Sequence, residues 1–335
     1  MFAKDFSFII PVYNRPEEIE ELLKSFTTLN CEKDFEVVII EDGSSLPCKN
    51  IVKKFQDELK INYNLKENSG PGDSRNYGMK VANGTYFIVL DSDCILPENY
   101  LSNVIASLNE NFVDFFGGPD AAHSSFTNLQ KAIDFSMTSF LTTGGIRGKK
   151  SSVNKFQPRS FNMGISKEVF DATKGFGTIH PGEDPDFSIR AWKLGFESKL
   201  IDQAYVYHKR RISWSKFYRQ VNKFGKARPI LNVWYPDTRQ LTYWFPSLFI
   251  IGIILAIFIS LMGNQWLLSI YIAYFILLFI ITLISKTNFI VALLVIPATM
   301  IQFYGYGVGF LTSTLKLSIS KKEPKDVLPE MFFKV

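Results

Sequence analysis

Cysteine is scarce in this chain, with three among 335 residues. Cys31, Cys48 and Cys94 are odd in number and lack metal-ligand spacing, which excludes a disulfide framework and a structural zinc site and leaves reduced thiols. The glycine signatures of dinucleotide and ATP sites are missing too. Gly70–Arg75 reads G-P-G-D-S-R, neither a G-x-G-x-x-G fingerprint nor a P-loop. No apolar leader opens the chain: Met1–Asp5 runs directly into a strand pattern, so the segment that follows is expected to stay in the cytoplasm. Charge is absent over one long region. From Leu241 to about Leu317, Lys286 and Lys316 are the only ionised side chains. Acids are absent from another, His208 to Arg228.

These gaps divide the chain. Residues 1–240 mix apolar and charged segments and suffice for a full α/β core. Residues 241–317 read as a membrane region and 318–335 as a Lys-rich tail. Apolar stretches at about 245–262 and 266–284 approach the roughly 20 residues that a spanning helix needs. Gly263-Asn264-Gln265 makes them a tight hairpin, with Tyr243, Trp244 and Trp266 at the aromatic-belt positions. The third stretch, about 289–315, is long for one upright helix and short for two crossings. It carries Pro297, Gln302 and the run Y-G-Y-G-V-G-F, so a kinked, tilted or partly re-entrant span is expected. Three crossings would put the tail opposite the chain start, whereas its lysines favour the cytoplasm. Two to three spans therefore stay open.

The segment 208–235 interleaves Lys209, Arg210, Arg211, Lys216, Arg219, Lys223, Lys226 and Arg228 with Trp214, Phe217, Tyr218 and Phe224. Just before a hydrophobic hairpin, that mixture suits membrane lipid headgroups or an anionic substrate. No nucleic-acid-binding motif accompanies it, and nucleic acid is not an expected partner.

The first part alternates strands and helices, which implies a mainly parallel, Rossmann-like sheet. Strands are expected at Phe6–Val12, Phe35–Ile40, Ile61–Leu65 and Tyr86–Leu90. One helix should begin at Pro16, with Glu17 and Glu18 in its first turn, and another should run from the Gly70–Arg75 turn towards Ala82. Tyr86–Cys94 reads Y-F-I-V-L-D-S-D-C, an apolar strand ending in Asp91, Ser92 and Asp93. Ligands of open α/β sheets bind at such strand ends. Carboxylate oxygens suit Mg²⁺ or Mn²⁺, though a short D-x-D also simply ends a strand in a turn. Arg75 fits either a bidentate diphosphate contact or a surface helix position. Asp42 fits either a base or ribose contact or a turn cap before Gly43.

In order and spacing, F-S-F-I-I-P-V-Y-N-R, V-V-I-I-E-D-G-S-S, G-P-G-D-S-R-N-Y-G and F-I-V-L-D-S-D resemble the nucleotide-sugar half of a family 2 glycosyltransferase. Phe161–Ile165 resembles the family's acceptor-side strand, with Asn162 and Gly164, and Gly182–Phe187 resembles its G-E-D-x-D-[LF] motif, with Glu183. The resemblance, over roughly 6–228, implies a GT-A fold, a nucleotide diphosphate-sugar donor such as a UDP- or GDP-sugar, a divalent metal and inversion at the anomeric carbon. It places Pro11, Tyr13, Asp42 and, ranked lower, Glu41 on the nucleotide. Asp91 falls on the ribose or metal side and Asp93 on the metal, with Asp184 as catalytic base and His208 as a further metal or diphosphate contact. Asp184 also reads as a helix N-cap ahead of Pro185. Gln220-Val221-Asn222-Lys223-Phe224 lies where processive synthases carry Q-x-x-R-W. Lys223 loses the planar fork and Phe224 the indole donor.

The reading that results is an inverting enzyme of the cytoplasmic membrane, its catalytic part cytoplasmic. It adds one sugar to a hydroxyl of a lipid-linked or membrane-associated glycan. A polyprenyl-phosphate transferase, a processive synthase and a non-catalytic nucleotide-sugar-binding scaffold are the alternatives.

Overall fold

A computed structural model describes residues 1–121, 126–143, 156–208, 213–286 and 288–333. The chain forms β1 (Phe6–Val12), α1 (Pro16–Thr27), β2 (Glu36–Asp42), α2 (Lys49–Val52), β3 (Lys60–Lys66), α3 (Pro71–Val81), β4 (Tyr86–Leu90), β5 (Cys94–Ile95) and α4 (Tyr100–Glu110). Next come β6 (Phe115–Gly117), β7 (Asp120–Ala121), α5 (Asn128–Thr138), α6 (Phe140–Thr143), β8 (Asn162–Ser166), α7 (Lys167–Thr173) and α8 (Glu183–Lys193). The order ends with β9 (Ser198–Leu200), β10 (Val206–His208), α9 (Trp214–Trp234), α10 (Phe245–Leu261), α11 (Trp266–Lys286), α12 (Phe289–Ile319) and α13 (Pro324–Val327). Two compact units result: Met1–His123 with Lys150–Lys209 and Phe333–Val335, and Ser124–Lys149 with Arg210–Phe332.

The first unit is built on a seven-stranded sheet of order β3-β2-β1-β4-β8-β6-β9. Its first four strands are parallel, and β8 runs antiparallel to both β4 and β6. Strand β1 can hold Pro11 because the β1–β4 ladder ends at Ile9↔Val89, before the missing N–H would be needed. All five residues of β4 are buried, as a strand covered on both faces requires. A second, small sheet, β5-β10-β7, pairs His208 with Cys94.

In the second unit, α10, α11 and α12 are long and apolar enough to cross a membrane. The third is a single 31-residue helix that continues through Pro297. Its glycines are contact points. A Cβ on Gly305 would lie 2.6 Å from Val221, and one on Gly309 would lie 2.3 Å from the Asn222 carbonyl oxygen. Gly225 of α9 meets the Tyr306 carbonyl in the same way, and Asn222 Nδ2 donates to the Gly305 oxygen at 3.0 Å. Small residues of this kind let helix backbones approach closely.

The units therefore do not divide at residue 240. Phe217 and Val221 of α9 are buried with Ile133 and Met137 of α5 and Ala298 of α12, so α5 and α9 fold with the apolar helices. Lys209, Arg210 and Arg211 of the basic segment, like parts of the 121–159 loop, lie outside the described residues.

Candidate active site

Strand β4 delivers Asp91 and Asp93 to the carboxyl edge of the sheet, where a turn closes through Cys94 N–H donating to the Asp91 carbonyl at 3.2 Å. Asp93 Oδ1 lies 3.1 Å from His208 Nε2, a meeting fixed by the Cys94↔His208 register. The His208 ring also stacks on Phe161 at 4.8 Å. Arg15 Nη1 approaches Asp93 to 3.9 Å. Ser92 is buried, its hydroxyl donating to Glu18.

Asp93, Cys94 and His208 form a group with ligand atoms within 4.8 Å of one another. A carboxylate oxygen and an imidazole nitrogen make a donor set suited to a divalent ion. Burial pushes the Cys94 thiol up, so it stays protonated, and it donates to the Phe161 carbonyl. The oxygen–nitrogen pair fits a metal; the thiol adds nothing to it.

Arg75 joins the two halves of the site. Its Nη2 donates to Asp91 at 2.8 Å and its Nη1 to Glu183 at 3.2 Å, while its guanidinium lies 5.5 Å from the Phe176 ring. The side chain is 4% exposed with both ends of the fork engaged, so the diphosphate contact expected of it gives way to a positioning role. Burial would raise Glu183, but His180 Nδ1 at 2.9 Å and Arg75 hold it down to about 2. Asp184 moves the opposite way. Burial and the neighbouring Glu183 charge raise it to about 6, against the pull of Arg75 and a hydrogen bond with Ser160. Helix α8 starts at Glu183 with Gly182 as N-cap, so Asp184 stands in the first turn and is not the cap.

Several expected ligand contacts are taken up inside the fold. Asp42 is 3% exposed and accepts from Lys66 Nζ at 2.9 Å and from the Ser69 and Gly70 N–H groups at 3.0 Å, which fixes the turn that opens α3. Its carboxylate thus anchors that turn. Glu41 is fully buried and accepts from Cys48 N–H and the Tyr63 hydroxyl, behind the strand edge. Asn162 is fully buried too, accepting from the Tyr100 hydroxyl and donating to the Ala204 carbonyl, so its side chain does not reach an acceptor. A Cβ on Gly164 would meet the Phe116 ring at 1.9 Å; that glycine serves sheet packing. Tyr13 is exposed and Pro11 half-buried, both available to a base. Gln220 is half-buried on α9, in the second unit.

Arg15, Ser160 and His180 were not singled out from the sequence. Arg15 left a signal: a cation at a helix N-terminus opposes the helix dipole and needs a nearby acid. Phe333 left none. Its N–H donates to the Thr178 carbonyl at 3.0 Å, and its ring packs on Gly70 and lies 5.5 Å from His180. It lines a cavity of about 150 Å³ together with Ser69, Asp73, Asn76, Phe176 and His180.

Known proteins share this plan. The family model for Glycosyl transferase family 2 matches residues 7–172. Glycosyltransferase AglE of Haloferax volcanii is 28% identical over 251 residues, 70% of this chain and 76% of that protein. The GalNAc(5)-diNAcBac-PP-undecaprenol beta-1,3-glucosyltransferase of Campylobacter jejuni is 33% identical over 114 residues, 33% of this chain and 37% of that protein. The chain spans about a fifth of the length of several other curated relatives it matches. Mannosyltransferase PcManGT from Pyrobaculum calidifontis, solved with GDP-Man and Mn²⁺, superposes with a TM-score of 0.57 at 15% identity, over 95% of this chain and 88% of that one. With the matched domain, the common sheet and the motifs in their expected order, the chain belongs to the family 2 glycosyltransferases and has the GT-A fold.

Proposed function

We propose that the protein is an inverting glycosyltransferase that moves one sugar from a nucleotide diphosphate-sugar to a hydroxyl of a lipid-linked or membrane-associated glycan. The observation that carries the reading is Arg75, which holds Asp91 of the D-x-D pair and Glu183 of the G-E-D motif on one guanidinium. In support, one side chain joins Asp91 to the first turn of α8, where Asp184 stands. A carboxyl raised to about 6 is mostly ionised at neutral pH and remains a competent base, as abstraction of a hydroxyl proton requires. A phosphate acceptor, already ionised, needs no such group.

Asp93 and His208 would hold Mg²⁺ or Mn²⁺, and the bound ion supplies Lewis-acid neutralisation of the leaving diphosphate. Tyr13 and Pro11 lie where the nucleotide is expected, with Asp42 holding the turn beneath. The undecaprenol-linked substrate in the Campylobacter enzyme's name supports a membrane glycan acceptor. The apolar helices support a place in a membrane; a cytoplasmic catalytic unit is part of the proposal and rests on the sequence.

Two variants test this in a nucleotide-release assay with lipid-linked acceptors. Asp184→Asn keeps donor binding and loses transfer at least about a hundredfold, the low end for general-base loss. Transfer at the wild-type rate would remove Asp184 from the chemistry. Asp93→Ala, or excess chelator on the wild type, abolishes turnover; full activity in chelator would remove the metal.

A further inference from the structure

The three apolar helices do not have equivalent surroundings. Helices α10 and α11 pair as an antiparallel hairpin in which Phe249 meets Tyr271, Tyr274 and Phe275 at 5.0 to 6.2 Å. In that register, stepping back along the chain from Phe249 to Trp244 arrives level with about Leu278. Helix α12 touches the hairpin at that same level twice. Val291 is buried in one cluster with Leu278, and Phe310 lies 5.0 Å from Trp244. Between Val291 and Phe310 a helix advances about 28 Å at 1.5 Å per residue. A helix that travels so far without changing depth runs across the end of the hairpin, not along it. Further contacts agree: Phe303 meets Phe245 and Phe249, and Ser247 donates to the Gly307 carbonyl at 3.1 Å.

The neighbours of α12 point the same way. From Ala298 to Phe310 it is lined by α9, which carries Lys216, Arg219, Lys223, Lys226 and Arg228. Such a helix belongs at headgroup depth, where basic side chains meet anionic lipid, and not in hydrocarbon. The exposed face of α12 is nonetheless largely apolar, with Ile290, Leu293, Tyr304, Leu315 and Ile319. An apolar exposed face opposite a helix that carries basic residues lets the α9–α12 pair sit at the lipid surface. Independently, Phe333 folds into the first unit on Gly70 and His180. Phe333, which follows α12, thus folds with residues that precede the hairpin, which requires an even number of crossings.

Resting on the membrane reading above, we propose that α10 and α11 cross the bilayer and that α12 does not cross but lies along the lipid surface at the open end of the hairpin, where α10 begins and α11 ends. Its apolar side contacts the lipid, and the segment after it returns to the active site through Phe333. The conflict between three spans and a cytoplasmic Lys-rich tail disappears.

Cysteines placed singly at three exposed positions in a Cys31→Ser background test this: Asp57→Cys in the catalytic unit, Asn264→Cys in the hairpin link and Lys322→Cys after α12. Cys48 and Cys94 are buried. Sealed membrane vesicles are treated with a membrane-impermeant maleimide before and after permeabilisation. The expected result is that D57C and K322C label from one side and N264C from the other. If K322C labels with N264C, α12 crosses and the proposal falls, while the membrane reading stands. If all three label from one side, nothing crosses and both fall.

Discussion

A single buried side chain, Arg75, ties Asp91 at the end of β4 to Glu183 at the start of α8. It pulls Asp184 down while Glu183 and burial push it up, and the balance is about 6. As the proposed base, Asp184 works only when ionised, so transfer is expected to rise with pH through about 6 and to level off above it. Arg75→Lys keeps the charge and loses the fork; turnover should drop with the limb near its place. Arg75→Met removes the cation that lowers Asp184, so the limb should move to higher pH. Breaking a buried pair also costs about 3–5 kcal/mol, so R75M should melt earlier. An unmoved limb in R75M, followed by pH–rate profiles, would show that Arg75 does not act on the base. At this scale the sequence told half the story. The positions of Asp91 and Asp93 at a strand end and of Asp184 at a helix start were legible, because an apolar run and a local motif announce them. Their partners were not, because Arg75 and Glu183 stand 108 residues apart and no local pattern records such a pair. The internal partners of Asp42 and Asn162 were likewise not legible, because Lys66, Ser69, Tyr100 and Ala204 belong to other segments.

Among the elements, the four parallel strands were readable to within one or two residues, since a strand buried on both faces is a run of apolar residues bounded by turns. The glycines of α12 were not readable as a contact. In water glycine weakens a helix, and only a neighbour close enough to need the missing side chain explains the run. Gly309 is the sharpest case, because a side chain there meets the Asn222 backbone rather than a movable tip. Gly309→Val should therefore force α9 off α12 and cost about 1–3 kcal/mol, as overpacking does. Gly195 has open space, although its positive φ favours glycine. Thermal melts in detergent should show G309V well below wild type; an unchanged melting temperature would mean that the two helices do not pack this tightly.

For the whole molecule, composition suggested a catalytic half ending near 240 and a separable membrane half. The folded chain divides elsewhere, because apolar residues are grouped by what they cover and not by where charge disappears along the sequence. Phe217, Val221, Ile230 and Leu231 of α9 are buried, and so are Ile133 and Met137 of α5. Their cover includes Ala298 and the glycine face of α12, all beyond residue 240. A chain cut after Arg239 would keep β1 to β10 and their core but uncover those faces. An exposed apolar patch of that kind leads to association unless something else covers it. The truncated protein should therefore retain donor binding, stay monodisperse only with detergent or lipid, and aggregate when either is removed. It would also lack Phe333, which packs on Gly70 and lies near His180, so the truncated protein should turn over more slowly even on a short soluble acceptor. Size-exclusion chromatography with and without detergent, alongside that soluble-acceptor assay, checks both parts. A monodisperse, fully active chain in plain buffer would show that α5 and α9 need nothing from the helices after residue 240.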